Sequence, residues 1–144
     1  MASTYHMHKD LNEKTKLALT SGIDLNNLGV CLSDQGRYQD ALNCFQESLA
    51  IKIAAYGPVS VHNCITLSGI ADTYLMMRDY TTAKKYTKKL ENEALEINSS
   101  AQLRIARDIF KDIAAAQGLS KPKQSKEDKK KSRSTISSVL NNGR

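Results

Sequence analysis

The chain has 144 residues, 40% of them hydrophobic, with six tyrosines, two phenylalanines and no tryptophan; this suits one domain whose core is built from aliphatic side chains. Its formal net charge of +6 is unevenly placed: residues 1–120 carry 13 basic and 13 acidic side chains, whereas residues 121–144 carry eight basic ones against Glu127 and Asp128, so a charge-driven nucleic-acid contact can be argued only for the tail. Three cysteines without a C-x-x-C pair exclude a disulfide scaffold or zinc ribbon, no run of about 18 apolar residues is present to cross a membrane, and Met1–Asp10 lacks the apolar stretch of a secretory signal.

At the N-terminus, His6 and His8 flank Met7. Two histidines fall short of the roughly four ligands of a zinc site, so they read as part of a frayed end. Residues 8–20 hold Leu11, Leu17 and Leu19 among mixed charges and are predicted to form a flanking helix.

From residue 22 the chain repeats itself with a shift of 42 residues. Leu25 falls on Leu67, Leu28 on Ile70, Gly29 on Ala71, Leu32 on Tyr74, Tyr38 on Tyr80 and Ala41 on Ala83. The register slips in the second half, where Phe45 meets Thr87 and Leu49 meets Glu91, and recovers where Ile53 meets Leu95. Each unit reads as two helices. Leu25, Leu28 and Leu32 form one stripe at helical spacing, and Gly36 marks a turn. Tyr38, Ala41, Leu42, Phe45, Leu49 and Ile53 form the second stripe, which Gly57-Pro58 closes. The second unit follows with Leu67, Ile70, Tyr74 and Met77, a turn at Arg78-Asp79, and then Tyr80, Ala83, Tyr86, Leu90 and Leu95. Gly29, Ala71, Ala41 and Ala83 are the small positions that let neighbouring helices approach. His62 is expected in the turn between units, and Cys31 and Cys44 as small core fillers.

Further on, Ser99 and Gln102 have the spacing of a capping box. Leu103, Ala106, Ile109, Phe110 and Ile113 make a last stripe, which Gly118 ends; a helix over about 100–117 is predicted. Lys84, Lys85, Lys88 and Lys89 form a basic face with Glu93 one turn past Lys89, the pattern of a solvated outer surface. Residues 119–144 are Lys- and Ser-rich with almost no apolar side chain before Ile136, and are expected to be disordered. The run Lys129-Lys130-Lys131-Ser132-Arg133-Ser134 suits a nuclear import signal or a nucleic-acid or anionic-surface contact, and Ser132 and Ser134 are candidate phosphorylation sites.

The segment Leu25-Asn26-Asn27-Leu28-Gly29, followed by Leu32, Gly36, Tyr38, Ala41 and Phe45, resembles a tetratricopeptide repeat. The 42-residue unit is similar to the repeats of kinesin light chains. The likeness implies an all-α fold, a short right-handed α–α superhelix with repeats at about 22–56 and 64–98, forming with the flanking helices one domain over 1–118. It also implies an interaction scaffold holding an extended peptide in the concave groove lined by the first helix of each unit; the unpaired cysteines suit a cytoplasmic protein, or a nuclear one through the basic tail, and no motif for catalysis, a cofactor or a metal is expected. Carried over residue by residue, the groove positions are Asn26, Asn27, Val30 and Ser33 in the first unit, and Ser68, Asp72 and Leu75, with Gly69, in the second. Asn27 pairs a donor with an acceptor and so suits a peptide backbone. The cationic clamp that some relatives use for a terminal carboxylate is lacking: only Asn27 matches, Ile23 and Ile65 stand where polar groups belong, and Arg107 and Lys111 fit only in another frame. Two alternatives remain: association with nucleic acid or anionic surfaces through the tail, and self-assembly by stacking of uncovered repeat ends.

Overall fold

The computed structural model describes residue 17 and residues 20–118. Those residues form five helices and no strand: α1 (20–34), α2 (Tyr38–Tyr56), α3 (Val61–Met76), α4 (Tyr80–Glu96) and α5 (Ser100–Ala116). Most of the flanking segment at 8–20, both N-terminal histidines and the whole tail with Ser132 and Ser134 lie outside the described residues.

The helices stop and start by a recurring device. Gly36 (φ 81°), Arg78 (φ 63°), Asn98 (φ 55°) and Gly118 (φ 73°) hold left-handed backbone just past α1, α3, α4 and α5. After three of these helices the next N–H turns back to a carbonyl five residues earlier: Arg37 to Leu32 at 2.9 Å, Asp79 to Tyr74 at 3.0 Å and Ser99 to Ala94 at 2.9 Å. This left-handed closure satisfies carbonyls that the helix end would leave bare. Side-chain oxygens cap the following starts, Ser60 for Asn63 N–H (3.1 Å), Asp79 for Thr82 N–H (3.2 Å) and Ser99 for Gln102 N–H (3.2 Å). Because Ser60 caps α3, the helix begins at Val61 and His62 lies in its first turn rather than in a connecting turn. Its ring stacks on Tyr56 with centroids 3.8 Å apart, and the Asn63 amide donates to the Gly57 carbonyl at 3.0 Å, which ties the Gly-Pro loop to both helices.

No break separates the flanking segment from the first repeat within the described residues: the helix runs through 20–34. Gly22, placed as the first residue of the repeat, is buried inside it. A Cβ there would stand 3.2 Å from the Ile51 side chain, and the Ser48 hydroxyl donates to its carbonyl at 2.5 Å. Small size rather than helix breaking explains this glycine.

Helix α3 is the centre, packed against α2, α4 and α5, while α5 also packs along α4. Two clusters of buried side chains follow. One joins Leu32, Ala41, Leu42 and Phe45 to Ile70; the other joins Cys64, Leu67, Leu75 and Leu90 to Ala106, Ile109 and Ile113. Leu49 and the stacked pair Tyr74–Tyr86, 5.6 Å apart, border both. Helix α5 thus covers the face that α3 and α4 would otherwise leave bare.

Several apolar positions lie outside this core. Leu28, Ile53 and Leu95 are 48%, 36% and 56% exposed, and Leu103 and Phe110 are only half-buried. In α2 the buried line runs Ala41, Phe45, Ser48, Lys52, so two polar residues hold places that the sequence pattern gives to Leu49 and Ile53. The Ser48 hydroxyl donates to the Gly22 carbonyl, and the Lys52 ammonium donates to Thr66 Oγ1. In α4 the buried line includes Thr87 and Glu93. Thr87 is fully buried where the first repeat has Phe45, and its hydroxyl donates to the Ala83 carbonyl one turn back at 2.7 Å.

Candidate functional site

The first helices of the units converge on a groove of about 440 Å³. Asn26, Asn27, Val30 and Cys31 line it from α1, Ile65, Ser68 and Gly69 from α3, and Gln102 and Ile105 from α5. Of the groove positions carried over from the family, Asn26, Asn27, Val30 and Ser68 meet here, with Gly69 beside them. Ser33, Asp72 and Leu75 do not line it. The Ser33 hydroxyl is buried against Thr73 Oγ1 (3.2 Å) and Met76 Sδ (3.6 Å). Leu75 belongs to the hydrophobic core, and Asp72 is 3% exposed. All three occupy the side of the first helices that turns toward neighbouring helices, one step round from the groove.

The floor of the groove depends on two glycines and one ring. A Cβ on Gly29 would come within 2.8 Å of the Phe45 ring, and a Cβ on Gly69 within 2.8 Å of the same ring. Phe45 therefore reaches from α2 between α1 and α3, and both glycines are small to admit it. The closeness inferred for Gly29 from sequence is real, but what it admits is an aromatic side chain.

The polar lining is of three kinds. Asn27 is exposed and stands at the lip. Ser68 turns its hydroxyl inward to the Ile65 carbonyl at 2.7 Å. Asn26 is 9% exposed, and its Oδ1 accepts from Thr66 Oγ1 at 2.9 Å. Thr66 in turn accepts from Lys52 Nζ at 2.7 Å. Lys52 is 4% exposed, and burial pushes its ammonium below the usual lysine range. Sequence reasoning missed both Lys52 and Thr66: a lysine on an outer helix reads as solvent-facing, and only its place one turn past Ser48 on the α2 face marks it as buried. Gln102 closes only half of the capping box. Its N–H bonds Ser99, while its side-chain Oε1 is buried without a partner.

Other candidates fall elsewhere. Cys31 is exposed in the groove and is no core filler, whereas half-buried Cys44 packs against the Leu32–Phe45 cluster; Cys64 is the fully buried thiol, pushed up to about 11 by burial and by nearby Glu93. The four lysines of α4 are exposed, and Lys88 pairs with Glu91 at 2.7 Å. Glu93 turns inward instead. Burial raises its carboxyl, which the charge of Lys89 and hydrogen bonds from Ser60 and Asn63 only partly oppose. Arg107 and Lys111 are exposed on α5 and do not line the groove. Among the described residues no group of three or more histidine, cysteine or acidic side chains is placed to hold a metal ion, and no helix is long and apolar enough to cross a membrane.

A sequence profile of the tetratricopeptide repeat matches residues 23–99, more than half of the chain. No curated protein matches the chain, and no solved structure does. The chain belongs to the tetratricopeptide-repeat family, whose repeats generally mediate protein–protein interaction and typically act as non-enzymatic scaffolds.

Proposed function

We propose that this tetratricopeptide-repeat chain holds an extended peptide segment of a partner protein in the groove between α1, α3 and α5. The observation that carries the reading is the convergence of three first helices on one open groove. That groove is walled by Val30, Ile65 and Ile105 and set with the carboxamides of Asn26, Asn27 and Gln102. Apolar walls with a few placed polar groups suit a peptide, since the walls desolvate and the amides fix register. Asn27 offers both a donor and an acceptor to the ligand backbone. A peptide-array screen tests this: ligands of the wild type should bind Asn27→Ala about tenfold more weakly, as loss of two hydrogen bonds predicts. A ligand set indifferent to Asn27→Ala would overturn it.

The finer family placement is part of the proposal. The 42-residue spacing and the Leu-Asn-Asn-Leu run favour repeats of the kinesin-light-chain type acting in the cytoplasm, with residues 1–118 as one domain. The basic tail supports a separate, salt-sensitive contact with nucleic acid or an anionic surface, regulated by phosphate on Ser132 and Ser134. Deleting residues 121–144 should abolish that contact and leave peptide binding unchanged.

A further inference from the structure

We infer that the groove is selective for an oxygen acceptor at Asn26, a carboxylate before a carboxamide, and that Lys52 and Thr66 are the positioning residues that impose this choice. The inference rests on the groove being a peptide site.

The direction of each hydrogen bond defines what Asn26 offers. An ammonium only donates, so the 2.7 Å contact from Lys52 Nζ occupies a lone pair of Thr66 Oγ1. The hydroxyl has one hydrogen, and the 2.9 Å contact gives it to Asn26. Asn26 thus accepts through Oδ1, and turning the amide over would forfeit the Thr66 hydroxyl as a donor to it. What remains for the groove is the Nδ2 end. Asn26 lines the groove, and no hydrogen bond among the described residues engages that nitrogen. Unlike Asn27, which is free to offer either end, Asn26 is a donor only. An N–H or ammonium of a ligand finds no acceptor there, whereas an oxygen does.

Charge adds a second preference. Lys52 is buried, and among the described residues no carboxylate forms a salt bridge with it. The groove lining contains no charged side chain of its own. A cation held two hydrogen bonds behind Asn26, in a medium that screens poorly, polarises the relay toward the groove and favours a negative ligand group. The occupant is thus an extended partner segment with an Asp or Glu side chain at the Asn26 position.

The test uses the full chain and three matched peptide pools of extended apolar sequence, amidated at the C-terminus, with Glu, Gln or Lys at one varied position. Wild type should retain Glu peptides over Lys peptides by about tenfold or more, with Gln between them. Thr66→Val keeps the shape but cuts the relay, and should bind with the Glu–Lys ratio reduced toward one. Asn26→Asp keeps the acceptor for Thr66 but turns an oxygen to the groove, and should invert the order. Circular dichroism shows whether each variant is folded; the two substitutions are nearly isosteric and act by different routes, so either one that folds decides the matter. Wild type that prefers Lys or shows no preference, or a folded variant that keeps the wild-type ratio, overturns the inference while leaving the groove as a peptide site. Wild type that binds no pool overturns both.

Discussion

Lys52 shows how strongly one residue's meaning depends on where its helix is rotated. A buried ammonium with a single hydrogen-bonding partner is costly to desolvate, and replacing such a group with an apolar one of similar length is often neutral or stabilising. Lys52→Met should therefore raise the unfolding free energy by up to about 2 kcal/mol, read as a higher denaturation midpoint, even as it blunts ligand choice. A fall in stability would mean that the bond to Thr66 outweighs the cost of burial. Glu93 supplies the matching pH experiment. Its folded carboxyl holds a proton above the ordinary 4.5, so the folded state binds more protons than the unfolded chain in that range. The stability it contributes is fully present below 4.5 and is lost as pH rises through the raised value. Chemical denaturation across that window should show a decline in wild type that is missing in Glu93→Gln. The thiols give a third reading. Exposed Cys31 should alkylate first, half-buried Cys44 more slowly, and Cys64, fully buried and pushed up to about 11, only on unfolding. Mass-resolved labelling checks the order, and groove ligands should protect Cys31 alone.

At the scale of the element, the left-handed position after each first helix is a point of contrast between the repeats. Gly36 closes α1 and Arg78 closes α3, 42 residues later, with φ of 81° and 63°. An arginine pays a steric penalty in that conformation that glycine avoids, so Arg78→Gly should stabilise by about 0.5–1 kcal/mol, read from thermal denaturation. The helices themselves were legible in the sequence because stripe, turn and repeat agreed: the two hairpins and the helix over 100–117 fall close to where periodicity puts them. Rotation about each helix axis was less legible. Leu49 and Ile53 fit a stripe as well as Ser48 and Lys52 do, and only the partners across the interface, the Gly22 carbonyl and Thr66, decide which pair is buried. The same uncertainty of rotation explains the groove positions. Asn26, Asn27, Val30 and Ser68 are found on it, while Ser33, Asp72 and Leu75, on the same helices, turn to neighbouring helices instead.

For the molecule as a whole, two repeats are completed by α5. Ala106, Ile109 and Ile113 join the cluster of Leu67 and Leu90, and Gln102 and Ile105 form one wall of the groove. Stability in such arrays is a sum over neighbouring interfaces, so ending the chain after Asn98 should bare that cluster. The shortened chain is expected to melt at lower temperature, to bind a hydrophobic dye and to lose peptide affinity together. If affinity survived while stability fell, α5 would be a cap and no part of the site.

Phe45 offers a last consequence. Its ring is pinned between Gly29 and Gly69, under the groove and on the boundary of α1, α2 and α3. Protons on those two glycines sit close enough to the ring to carry displaced NMR frequencies, and the rate at which the ring flips reports how often the three helices loosen. Occupying the groove should slow that flipping without touching the ring, so an uncharacterised ligand would announce itself through a side chain it never meets.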